Sequence, residues 1–194
     1  MIRAVLIATA VSLIAAGCGS SDSQFHSTDI TGASYGGELR LTDHTGKVRT
    51  LTDFRGKVVA VFFGYTFCPD VCPTTLAEMK SVLARLGDDA KRVQVVFVTV
   101  DPERDTPEIL AKYVTTFDPG FIGLYGDADA TARAAKSFRV FYEKVPGSNP
   151  KTYSVNHTAG TYLLDPQGRL RLFVRYGADV DAIASDIRLL LQGK

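Results

Sequence analysis

Apolar and polar positions along the chain alternate between strand-like and helix-like rhythms. Residues 38–41 and 48–51 flank Asp43-His44-Thr45-Gly46, a turn signal, and predict a β-hairpin. After a second turn, Asp53-Phe54-Arg55-Gly56, the run 57–63 is almost continuously β-branched and aromatic, as in a central strand covered on both faces. Residues 74–86 carry apolar side chains at 76, 79, 82, 83 and 86, which is helical spacing. Pro73 suits the first helical position, where no backbone donor is lost, and Gly87-Asp88-Asp89 closes the helix. Residues 93–100 form a second buried strand, and Thr106-Pro107-Glu108 caps a helix that runs to Phe117.

The same reading predicts a short strand over 121–125 and a short helix over 128–137. Residues 140–145 and 153–155 are strand-like around the loop 146–150. Residues 161–164 and 170–176 alternate around Asp165-Pro166-Gln167-Gly168, another hairpin, and an amphipathic helix over 179–191 ends the chain. No internal repeat is visible. Hairpin, βαβ, strand, helix, hairpin, helix is the layout of a thioredoxin-like three-layer α/β sandwich. This one has an N-terminal β-hairpin and an inserted hairpin or loop near residues 140–157.

Composition narrows the class. At 45% hydrophobic and 22% charged, the 194 residues have the balance of a globular protein. The formal net charge of +1 supplies no strong field, and no basic stripe with interleaved aromatics is present, so nucleic-acid binding is not expected.

The N-terminus reads as a targeting segment. Arg3 is followed by an apolar run over 4–16, broken by Thr9 and Ser12, which is short for a membrane span and fits an export signal. Its end, Leu13-Ile14-Ala15-Ala16-Gly17-Cys18, resembles a bacterial lipoprotein signal, with Ala15 where leucine is commonest. The expectation is a signal over 1–17, a lipid on Cys18, a flexible polar tether over 18–33 and a domain over 34–194. That places the protein in the cell envelope, membrane-anchored and facing outside the cytoplasm, where disulfides are permitted.

With Cys18 assigned to the anchor, Cys68 and Cys72 are the remaining thiols of three cysteines. They lie in Gly64-Tyr65-Thr66-Phe67-Cys68-Pro69-Asp70-Val71-Cys72-Pro73, between a buried strand and a helix. Four-residue spacing at a helix start allows a Cys68–Cys72 disulfide, a metal site or a nucleophile, and the helix N-terminus favours thiolate. Three intervening residues, instead of the usual two, count against a general disulfide exchanger. His26 and His44 read as tether and turn residues. His157 sits just before an apolar strand, in a loop that approaches the cysteine helix in this fold class. Taken alone it is a rim or core residue; with the cysteines it completes a Cys, Cys, His donor set. Structural zinc asks for four protein ligands, whereas copper, as Cu(I) or Cu(II), accepts three such donors. Asp70 reads as a polar loop residue. Asp101 and Asp105 read as turn and cap residues, or as a hydrogen-bond network near the site.

These residues resemble the Sco/SenC family of copper-handling factors for cytochrome c oxidase assembly. The likeness is carried by residues 62–73, by Val100-Asp101-Pro102-Glu103-Arg104-Asp105-Thr106-Pro107, and by His157-Thr158 leading to residues 162–168. It implies a thioredoxin-like fold and a copper site of Cys68, Cys72 and His157. The implied partners are oxidase subunit II, with its dinuclear copper centre, and an upstream periplasmic copper donor or thiol reductant. Two roles stay open: a metallochaperone, or a thiol-disulfide reductase in which Cys68 and Cys72 are the redox pair. A peroxidase on this fold would need one activated cysteine with a nearby Arg and Thr, for which Thr66 alone speaks.

Overall fold

The structure, a computed structural model, describes residues 24–148 and 152–194. Its strands are β1 (Thr28–Asp29), β2 (Arg40–Asp43), β3 (Val48–Thr50), β4 (Val58–Gly64), β5 (Val93–Thr99), β6 (Ile122–Tyr125), β7 (Tyr142–Pro146), β8 (Tyr153–His157), β9 (Gly160–Leu164) and β10 (Leu170–Arg175). The helices are α1 (Val71–Leu86), α2 (Pro107–Phe117), α3 (Ala128–Ser137) and α4 (Val180–Leu191). Eight strands form one sheet in the order β1-β10-β9-β4-β5-β6-β2-β3, while β7 and β8 pair only with each other. The expected α/β sandwich, its first hairpin and the inserted hairpin are all present.

Strand β4 is buried along its whole length because it lies mid-sheet, parallel to β5 and antiparallel to β9. Alternation along it sends neighbouring side chains to opposite faces. The α-carbon of Gly64 faces Cys72 of α1, on the side of Phe62, whereas Phe63 meets Phe138 at the end of α3. Helices α1 and α4 pack together, with α2 beside α1. The sheet is thus the middle of three layers.

The structure differs from the sequence reading at two places. Residues 24–33, expected in the tether, lie against the domain. Strand β1 pairs with β10, and the His26 and Ser27 amides donate to the buried Asp186 carboxylate, both at 2.8 Å. A buried carboxylate needs donors, and the open edge of β10 needs backbone partners, so this segment is drawn in. Phe25, Ile30 and Ala33 pack on the core. Helix α1, for its part, begins at Val71 and not at Pro73, which puts Cys72 in its first turn and leaves Cys68 before the helix. Pro73 is still in the first turn, where its missing N–H leaves no helical bond unmade. Residues 1–23, with the signal and Cys18, lie outside the described residues.

Candidate metal centre

The centre forms where β4 ends and α1 begins. Because Cys68 precedes the helix, the two cysteines are not neighbours on a helical face. Instead the Cys72 N–H, free at the helix start, donates to Cys68 Sγ at 3.4 Å. Asp70 occupies the N-cap position without a side-chain cap bond, and the sulfur takes that place. Both cysteines are free thiols, Cys72 fully buried and Cys68 half-buried.

His157 arrives from the end of β8, with Nε2 3.4 Å from Cys72 Sγ. Its Nδ1 lies 3.1 Å from the Thr158 carbonyl oxygen. A carbonyl can only accept, so Nδ1 is the donor in this pair and Nε2 is the ring nitrogen turned toward the sulfurs. Phe62 and Tyr65 stand edge-on to the imidazole, at centroid distances of 5.8 and 5.9 Å, and fix its plane. One donor atom from each of Cys68, Cys72 and His157 lies within 4.8 Å of the others. No other cluster of this kind occurs among the described residues. His44 instead accepts the Gly123 amide, and Asp70 meets the Thr74 hydroxyl.

The two thiols are driven apart in acidity. The hydrogen bond from Cys72, opposed by partial burial and helped by the Asp70 and Cys72 amides, holds the Cys68 thiol down at about 5. Cys72, which supplies that bond and is buried, is pushed far above the ordinary thiol range. At neutral pH the accessible sulfur is a thiolate and the inner one a thiol.

Three further residues build the site. The buried Asp105 carboxylate accepts the Thr66 amide at 3.0 Å and the Thr66 and Thr99 hydroxyls at 2.6 and 2.5 Å, which pins the cysteine loop to β5. Burial raises its pKa above the usual carboxylate value, against those hydrogen bonds. Arg104 packs against the Phe67 ring of the cysteine loop and the Tyr153 ring of β8. Gly64 leaves room for Cys72: a Cβ there would stand 2.7 Å from its sulfur. The acidic network was among the sequence alternatives, but the roles of Arg104 and Gly64 were missed. Their only signal was a place in the blocks 62–73 and 100–107.

Comparison with known proteins bears on this arrangement directly. The family model described as SCO1/SenC matches residues 27–192. The chain belongs to the SCO1/SenC family. Among curated SCO1/SenC relatives, the human mitochondrial SCO2 homolog is 38% identical over 154 residues, covering 78% of this chain. The chain spans about 58% of that relative's length. The structure of Bradyrhizobium japonicum ScoI with copper bound is 41% identical, with a TM-score of 0.75, covering 81% of this chain and 99% of that one. BsSco, described as having a disulfide switch and as a member of the Sco family of cytochrome c oxidase assembly proteins, is 25% identical with a TM-score of 0.64. It covers 87% of this chain and 98% of its own. These structures share the thioredoxin-like fold seen here.

Proposed function

We propose that this protein is a membrane-tethered copper metallochaperone for the dinuclear copper centre of cytochrome c oxidase subunit II. The observation that carries this reading is the meeting of two sulfurs and one imidazole nitrogen within 4.8 Å. Copper bound to the B. japonicum relative and the oxidase-assembly role of BsSco support it.

The donor set fits copper as cargo. Thiolates suit Cu(I), and imidazole adds a borderline donor suited to Cu(II). Cys68 is already ionised at neutral pH, whereas Cys72 must lose its proton, so loading releases protons. Cys72 is buried and Cys68 faces outward, so a partner's thiols displace Cys68 first and Cys72 last. Oxidation to a Cys68–Cys72 disulfide removes both sulfur donors, which makes copper loading and oxidation mutually exclusive. An upstream periplasmic copper donor or thiol reductant then sets which form is present.

A second reading has its own support, the lowered pKa of Cys68 with the Cys72 thiol behind it. In a thiol-disulfide reductase, Cys68 thiolate attacks the target disulfide, forms a mixed disulfide and releases one target thiolate. Cys72, once deprotonated, attacks the Cys68 sulfur and releases the second. The protein ends oxidised and needs an external thiol to reset.

Copper titration of the reduced protein tests the choice. The chaperone reading expects thiolate-to-copper charge-transfer absorption that changes in His157→Ala. Binding no better than a Cys68→Ser, Cys72→Ser control removes that reading. Turnover of a disulfide substrate that survives loss of His157 supports the reductase. The anchor is proposed to be a lipid on Cys18 that holds the domain in the bacterial cell envelope. No helix among the described residues is long and apolar enough to cross a membrane. Mass spectrometry of the mature N-terminus is expected to find lipidated Cys18; an intact Met1 or a free Cys18 thiol sinks the anchor.

A further inference from the structure

The β7–β8 hairpin stands outside the main sheet, and its last residue is the third ligand. Only Thr158 and Ala159 separate His157 from β9. The place of His157 over the cysteines therefore depends on what holds the hairpin down.

Arg104 touches both sides of that junction. Its guanidinium carbon lies 3.5 Å from the Tyr153 ring centroid, 4.9 Å from that of Phe67 and 5.6 Å from that of Tyr65. Phe67 and Tyr65 lead into Cys68, and Tyr153 opens the strand that ends at His157. Nη1 donates to the Tyr153 carbonyl at 2.9 Å, and Nε donates to Asp101, a fully buried carboxylate. The Tyr153 hydroxyl closes the ring by donating to the other Asp101 oxygen at 2.7 Å. Residues 153, 155 and 157 share one face of β8, so a grip on Tyr153 is transmitted along the strand to the imidazole. Only a planar cation with a fork of donors can stack on one ring while bonding a carbonyl and a carboxylate. Lys144 adds an exposed tie from β7 to Glu103 at 2.6 Å.

We propose that Arg104 is a positioning residue that locks the β7–β8 hairpin, and with it His157, onto the cysteine pair, so that its loss lowers the site from three donors to two. This rests on the metal-binding reading above. Two sulfurs alone retain Cu(I), while Cu(II) needs the imidazole. Arg104 thereby decides whether the site holds Cu(II) as well as Cu(I).

The test uses the full reduced protein with Arg104→Ala and Tyr153→Phe. In the metal-free protein, Arg104→Ala is expected to speed hydrogen exchange of the β7–β8 amides at least tenfold, with exchange in β4 and β5 unchanged. Its Cu(II) charge-transfer band moves to that of His157→Ala, while Cu(I) is still retained against a small chelator. Tyr153→Phe keeps the stacked ring and loses one hydrogen bond, so it keeps the parental band. Parental exchange in Arg104→Ala overturns the proposal, as does loss of Cu(I) together with Cu(II), which marks general disruption of the thiols. If the parent itself takes no copper, the metal reading fails, and the exchange measurement still judges the clamp.

Discussion

Gly64→Ala probes the packing that makes room for the inner thiol. The added Cβ would stand 2.7 Å from Cys72 Sγ, 2.9 Å from Phe62 Cε1 and 3.0 Å from Phe97 Cε2. Comfortable contacts between such atoms lie at about 3.5–4.0 Å, so the sulfur must retreat by roughly 1 Å. Cys72 is fully buried, with His157 3.4 Å away and the Cys68 sulfur on its own amide, so the retreat deforms the donor triangle. Overpacking of this kind costs about 1–3 kcal/mol, and for a domain of this size each kcal/mol lowers Tm by about 2–4 °C. The expected fall is thus about 2–12 °C, with a shifted copper charge-transfer band. Gly37→Ala is the control, since a Cβ there meets nothing within 4 Å. Scanning calorimetry and copper titration of both variants decide the matter. A Gly64→Ala protein as stable as Gly37→Ala, with the parental band, refutes the packing argument.

Other consequences follow from the charges around the loop. Alkylation of reduced Cys68 is expected to show a pH midpoint near 5, rising when Cys72→Ala removes the bond that holds the thiolate; a midpoint in the ordinary thiol range of about 8–9 defeats the assignment. The Cys68 pKa is lower folded than unfolded, so its contribution to stability is fully present above the unfolded value and lost as pH falls through about 5. Urea midpoints of the reduced protein relative to Cys68→Ser should therefore rise between about pH 5 and 9, and a flat difference contradicts the linkage. Asp105→Ala leaves the Thr66 amide and two hydroxyls without their acceptor, at a cost of roughly 2–4 kcal/mol in denaturant melts. Asp105→Asn keeps one acceptor oxygen and should recover part of that; no loss in either variant shows that the loop is held by other means.

Much of this could be read locally. The all-apolar run of β4 and the spacing of residues 76, 79, 82, 83 and 86 declare a strand and a helix, because side-chain burial imposes its period on the sequence. Cys68 and Cys72 are four residues apart and meet because the chain between them turns into a helix. The first turn of α1 was less legible, since Pro73 suits any early position and the cap is a sulfur. The polar composition of residues 24–33 hid their packing, because what draws them in, Asp186, lies about 160 residues away.

By itself the sequence determined the order of strands and helices, the cysteine pair and, through three blocks of residues, the family and the candidate third donor. Only the tertiary structure decided how that residue reaches the sulfurs. His157 is 85 residues from Cys72, and it arrives because β9 inserts antiparallel beside β4 and carries the hairpin's end to the start of α1. The unequal acidity of the two thiols, the space left by Gly64 and the grip of Arg104 and Asp105 are likewise properties of proximity. Local periodicity records which way a side chain faces; it does not record which distant residue it will face.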